Sequence, residues 1–221
     1  MSKGKLIVIE GACDGIGKST QYEKLYERLS KDNEVIKHHF PSYNTAQGAL
    51  VEAYLDGKYG DKKELSQYFI HDLYAIDRAV TWKTILEKEY NSGKTILLDR
   101  YTTSSMIYQS TLIEEDKKDD FIEFVVDYEH NKLGTGKPDM VIFLTAPFDL
   151  VTRMRNERKN NDGVENDIHE RDLEFMKKVY DNANKVAKKY KWSIINCEKG
   201  DSLRSPDDIS EEIYSIVKNL K

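Results

Sequence analysis

Cysteine and proline are both scarce in this chain, with two and four copies respectively in 221 residues. Two thiols, Cys13 and Cys197, are too few for a disulfide framework and point to a reducing compartment. Cys13 reads as a small filler of a loop. No apolar run approaches the ~20 residues needed to cross a bilayer. The N-terminal residues also lack the long apolar core of a secretory signal. A basic excess is missing as well: 34 Lys and Arg face 39 Asp and Glu, a net charge of −5. That balance gives no reason to expect a nucleic-acid partner, so basic side chains should matter locally, where they gather around phosphate. Repeats, low-complexity tracts and linker-like breaks in composition are absent too. The expectation is one cytoplasmic domain over 1–221 with no membrane partner, compatible with a soft prior of about 150 residues per domain.

What the chain does carry is an informative opening. Lys5-Leu6-Ile7-Val8-Ile9, apolar and β-branched, runs into Glu10-Gly11-Ala12-Cys13-Asp14-Gly15-Ile16-Gly17-Lys18-Ser19-Thr20. A helix-forming segment, Gln21-Tyr22-Glu23-Lys24-Leu25, follows. A strand, a small-residue turn and a helix N-terminus in that order form the context of a phosphate-binding loop. Backbone N–H groups of the turn can converge on phosphate oxygens, and the helix dipole favours the negative charge. Lys18 would reach the β and γ phosphates of a bound nucleotide, and the Ser19 hydroxyl would hold Mg²⁺. The spacing is one residue too long, however. Ala12 stands where the first glycine is expected, so either Ala12 tolerates the first turn or the loop bulges around Cys13.

Strand-length apolar runs recur at Val35-Ile36-Lys37-His38, Thr95-Ile96-Leu97-Leu98, Met140-Val141-Ile142-Phe143-Leu144 and Trp192-Ser193-Ile194-Ile195. Between them, 18–31, 66–91, 101–132, 147–159 and 167–190 carry helical spacing and strong helix formers. The alternation predicts an α/β fold, a five-stranded parallel sheet flanked by helices. Continuous apolarity within the strands fits burial on both faces. The polar stretch 158–166, flanked by Arg153, Arg155, Arg158 and Arg171, reads as a lid over about 155–168 that closes on phosphate.

The third predicted strand ends in Asp99-Arg100-Tyr101, followed by Thr102-Thr103-Ser104-Ser105-Met106-Ile107-Tyr108-Gln109. Ligands of open parallel sheets bind at the carboxyl ends of strands. Asp99 therefore falls where a carboxylate can sit beside Mg²⁺ or its waters, and Arg100 offers a planar fork for phosphate. Upstream, Tyr74 and Arg78 are four residues apart and share one helical face, an aromatic platform beside a donor.

In this order the motifs resemble the thymidylate kinase family. They comprise the phosphate loop with its Asp-Gly, the Phe40-Pro41 loop, the Tyr74-x-x-x-Arg78 helix, and Asp99-Arg100-Tyr101 with Ser105, Tyr108 and Gln109. Lys137-Pro138-Asp139-Met140-Val141-Ile142-Phe143-Leu144 and Asp167-Ile168-His169-Glu170 resemble segments of its bacterial members. The resemblance covers essentially the whole chain. It implies the three-layer P-loop kinase fold with a short lid, ATP as phosphoryl donor with Mg²⁺, dTMP as acceptor, dTDP as a product on the way to dTTP, and a homodimer. By the same resemblance, Asp14, Gly15, Ile16, Gly17, Lys18, Ser19 and Thr20 form the ATP phosphate site. Asp14 also faces the acceptor 3′-hydroxyl, Tyr74 stacks on thymine and Arg78 contacts the base. Arg100 takes the acceptor phosphate, Ser105 and Tyr108 lie near base and sugar, and Gln109 extends the match.

The base chemistry agrees independently. Arginine only donates, so Arg78 suits thymine O4, whereas the amino group of cytosine sets donor against donor, a mismatch of about 1–3 kcal/mol. A single methyl is worth about 0.8 kcal/mol, so some dUMP activity is expected. Two departures shift roles. Tyr43 stands where many members place an arginine, which loads the acceptor phosphate onto Arg100. Gly15 replaces a loop arginine and Ile168 a lid arginine, which leaves Arg155 or Arg158 to supply catalytic charge beside Lys18. Deoxynucleoside kinases would need a Glu-Arg-Ser element after the third strand, and a GTPase would need Asn-Lys-x-Asp. The latter fails here at Gly134.

Overall fold

The computed structural model describes residues 3–13, 15–61, 64–154 and 173–220. Five strands, β1 (Leu6–Gly11), β2 (Val35–His39), β3 (Thr95–Asp99), β4 (Met140–Thr145) and β5 (Ser193–Asn196), form a parallel sheet of order β2-β3-β1-β4-β5. Register is fixed by pairs such as Val8 with Leu98 and Val8 with Val141. The central strand β1 is buried along its whole length, as its unbroken apolar run requires, while the edge strands β2 and β5 alternate.

Because side chains alternate across a strand, the sheet feeds two separate cores. Ile7, Ile9, Leu97, Ile142 and Ile195 pack into the larger one, and Leu6, Val8, Ile96, Leu98 and Val141 into the other. The larger core is completed by α1 (Lys18–Leu29), α5 (Thr102–Thr111), α6 (Lys118–Asp127), α8 (Leu173–Lys189) and α9 (Pro206–Val217). Residues 148–154 form α7. The opposite face is closed by Phe40, Tyr101, Trp82 and Leu86, the last two from a π-helical turn, Trp82–Leu86, that joins α3 (Gln67–Thr81) to α4 (Glu87–Asn91). A third cluster packs Val51 and Tyr54 of α2 (Ala49–Leu55) on Ile70 and Leu73 of α3. Among the described residues no helix is long and apolar enough to cross a membrane.

All five expected strands are present, each within a residue or two of its expected bounds. The span 101–132, in contrast, is not one helix. Ser110 and Thr111 bond back to the carbonyls of Met106 and Ile107, and Asn182 donates to Ile107 as well. α5 itself ends in a tightened turn, with the Leu112 N–H on Gln109 O at 3.2 Å and the Ile113 N–H on Ser110 O at 3.1 Å, bonds that take up two of its last carbonyls. A 3-10 turn (Glu115–Lys117), α6 and a second π-helical turn (Tyr128–Lys132) follow. Sequence reading also missed α2, α9 and the small hairpin of β6 (Glu198–Lys199) and β7 (Ser202–Leu203). The start of α9 was legible: Ser205 accepts from the Asp208 N–H at 3.1 Å, with Pro206 at the first helical position and two acidic residues in the first turn.

Candidate active site

The extra residue of the loop is absorbed at the end of the strand. Ala12 N–H donates to Leu144 O at 2.9 Å, so pairing with β4 continues one residue beyond Gly11, and Ala12 and Cys13 are both buried. The turn itself uses left-handed backbone at Gly15 (φ 93°) and Gly17 (φ 90°), which glycine adopts without steric cost. Ile16 plugs the loop into the larger core. Ser19 and Thr20 are exposed at the start of α1, and Ser19 has no side-chain partner among the described residues. Asp14 and the expected lid, 155–168 with Arg155, Arg158 and Ile168, lie outside the described residues.

Lys18 and Asp99, expected separately at the loop and at the end of β3, form an ion pair. The other carboxylate oxygen of Asp99 meets His39 Nδ1 at 3.1 Å. Burial alone would raise the Asp99 pKa, but the His39 hydrogen bond and the Lys18 charge override it and hold the carboxyl down at about 2.

Beside the loop lies a cavity of about 100 Å³. Tyr43, Tyr74, Arg78, Arg100, Ser105, Tyr108 and Gln109 all line it. Tyr74 and Arg78 reach it from α3, with the Arg78 guanidinium carbon 6.0 Å from the Tyr74 ring centre. Ser105, Tyr108 and Gln109 reach it from α5. Arg100 sits between β3 and α5 with φ 65°, a left-handed conformation uncommon for a side-chain-bearing residue. That backbone turn swings the guanidinium over the Tyr108 ring, 5.4 Å from its centre, with Nη1 donating to the phenol oxygen at 3.4 Å. Tyr43 is exposed and stacks on His39 with ring centres 6.0 Å apart.

Two carboxylates behind these arginines escaped sequence reading. Glu10, fully buried at the end of β1, accepts from Thr103 Oγ1 (3.0 Å) and Ser104 Oγ (2.6 Å) and lies 3.7 Å from Arg100 Nη1. Glu129, equally buried in the second π-helical turn, accepts from Arg78 Nε and Nη2, both at 2.7 Å, and from Thr102 Oγ1 at 2.8 Å. Burial would raise the Glu129 pKa, yet the Arg78 charge and hydrogen bonds bring it below the ordinary value. Glu129 had a signal: it continues the buried stripe Phe121, Ile122, Val125 of α6, where an unpaired charge is not tolerated.

A left-handed glycine loop closed on a helix N-terminus, the lysine heading that helix paired with an aspartate at a strand end, and an arginine-lined cavity alongside define a class. It is that of P-loop phosphotransferases acting on a small phosphorylated acceptor, the nucleoside monophosphate kinases. The comparisons agree. The thymidylate kinase family model matches residues 9–205. Thymidylate kinase of Plasmodium falciparum is 29% identical over 222 residues, covering 99% of this chain and 92% of the relative. That of Schizosaccharomyces pombe is 28% identical over 226 residues, with 99% and 94% covered. A protein of Invertebrate iridescent virus 6 described as a candidate thymidylate kinase is 33% identical over 222 residues, with 99% and 90% covered. The solved thymidylate kinase of Candida albicans superposes with a TM-score of 0.74 over 99% of this chain and 93% of its own, at 24% identity. The chain belongs to the thymidylate kinase family, enzymes that move the γ-phosphoryl group of ATP to dTMP.

Proposed function

We propose that ATP lies over Gly15, Ile16, Gly17, Lys18, Ser19 and Thr20, and that dTMP occupies the adjacent cavity with its phosphate at Arg100. The observation that carries this reading is that residues from three separate segments, Tyr43, Tyr74 with Arg78, and Arg100 with Ser105, Tyr108 and Gln109, line one cavity. The acceptor phosphate oxygen is already a nucleophile, so alignment and charge stabilisation suffice and no general base is needed. Lys18 neutralises charge on the transferring group, and Arg155 or Arg158 of the 155–168 lid adds to it. Asp14 completes the acceptor side at the 3′-hydroxyl, as the family resemblance implies.

Among the described residues no three acidic, His or Cys side chains gather into a metal cage. That suits Mg²⁺, which takes one or two protein ligands and fills its shell with phosphate oxygens and water. The exposed Ser19 hydroxyl and the Asp99 carboxylate would hold it, and when bound it neutralises charge on the donor phosphates. A homodimer is part of the proposal. Phe69, Ile76 and Val80 line the outer face of α3, each about two-fifths exposed, and an apolar stripe on one helix is self-complementary across a two-fold axis. A cytoplasmic setting is supported by Cys13 and Cys197, both buried and neither in a disulfide.

The test is ADP release, coupled to an indicator reaction, with ATP and each nucleoside monophosphate in turn. dTMP should stimulate release most, dUMP measurably and dCMP least. No stimulation by dTMP alongside stimulation by another acceptor would overturn the assignment.

A further inference from the structure

Arginine carries five N–H donors, and the protein consumes three of them on Arg78. Nε–H and one N–H of Nη2 go to Glu129, and the second N–H of Nη2 goes to Ser105 Oγ at 2.8 Å. Nη1 has no partner among the described residues and is not among the buried atoms left unpaired, so it opens onto the cavity that Arg78 lines. Ser105 adds to this. Its oxygen is occupied by Arg78, while its own hydroxyl proton has no acceptor among the described residues, so it too can donate into the cavity. The inner wall therefore presents donors, and its geometry is set from behind.

We propose that Glu129 is the positioning residue that determines base specificity: by clamping the Nε and Nη2 edge of Arg78 it offers the acceptor base the Nη1 donors in a fixed plane. Such a wall accepts a carbonyl oxygen such as thymine or uracil O4 and rejects the N4 amino group of cytosine. A side-on, two-point pair is what holds a guanidinium in one plane. Glu129 is in turn fixed by Thr102 at the start of α5, the helix that also carries Ser105, Tyr108 and Gln109. The clamp thus ties the two walls of the cavity together. His71, buried 3.9 Å from Glu129, adds no competing charge, because burial holds its pKa at about 4. The inference rests on dTMP occupying this cavity as proposed above.

The test compares kcat/KM for dTMP, dUMP and dCMP in the full-length enzyme and in Glu129→Gln, which keeps the shape but loses the charge and one acceptor oxygen. The dTMP and dUMP values should fall together by about tenfold or more, mainly through KM, since contacts to the base hold ground and transition states alike. The dCMP value should fall much less, so the dTMP-to-dCMP ratio drops at least about fivefold, while KM for ATP stays put. Loss of stability alone would lower all three acceptors in proportion, so an unchanged ratio overturns the inference. If Glu129→Gln does not fold, Thr102→Val, which removes one support of the same carboxylate, decides by the same ratio. Failure of the wild-type enzyme to use dTMP would overturn the underlying reading instead, so the two failures are distinguishable.

Discussion

Lys18 is the residue on which the chemistry turns. It sits at the head of α1, paired with Asp99, and no other lysine or arginine among the described residues is paired with Asp99. Lys18→Met should lower kcat about 10²–10³-fold, the scale of losing one preorganised charge in a transition state. Far-ultraviolet circular dichroism should remain unchanged, because His39 still engages Asp99. His71 makes a different statement. Among the described residues both ring nitrogens lack a hydrogen-bond partner, and the ring is enclosed edge-on by Phe121, Phe124 and Tyr128. Burial lowers its pKa from 6.5 to about 4. Near pH 7 it is neutral in both folded and unfolded chains. Below pH ~6.5 the unfolded chain takes up a proton that the folded one refuses until pH ~4, so stability declines across that window by up to about 3 kcal/mol. Denaturant unfolding from about pH 7 to about pH 4 should show this slope, and His71→Leu should flatten it.

Two glycines hold the elements in place for different reasons, one by its backbone conformation and one by a close approach. At Gly17, the N-cap of α1, a Cβ would meet nothing within 4 Å, so an alanine there costs conformation rather than space. At Gly136, in the connection to β4, a Cβ would lie 2.2 Å from Trp82 Cη2, in the π-helical turn after α3. Gly136→Ala must displace a buried indole and should destabilise the chain by about 1–3 kcal/mol, read as a lower melting temperature. Regular strands and the amphipathic α8 were legible because their burial follows a period written in the sequence. The π-helical turns were not. They insert one residue per turn without a local signature, and the second of them carries Glu129.

At the scale of the whole molecule, α3 works on both sides. Its inner face brings Tyr74 and Arg78 to the cavity, and its outer face exposes Phe69, Ile76 and Val80. If that stripe is the two-fold interface, Ile76→Glu with Val80→Glu should convert a dimer to a monomer in sedimentation velocity, because burying like charges across a two-fold axis is unfavourable. A dimer that persists unchanged in this variant would locate the interface elsewhere.

Strand-length apolar runs and the glycine-rich turn were enough to read the sheet and the phosphate loop from sequence. Helical spacing paired Tyr74 with Arg78 and a strand end marked Arg100, whereas Tyr43, Ser105, Tyr108 and Gln109 came from the family resemblance. Only the tertiary structure decided which carboxylate stands behind which arginine. Glu10 meets Arg100 across neighbouring strands, and Glu129 meets Arg78 across 51 residues of chain. It also decided that the extra loop residue would be taken up by prolonging β1 against β4. The physical reason is common to both. A buried charge or an additional peptide group finds its partner through packing between segments, and one-dimensional periodicity contains no record of which segments will meet.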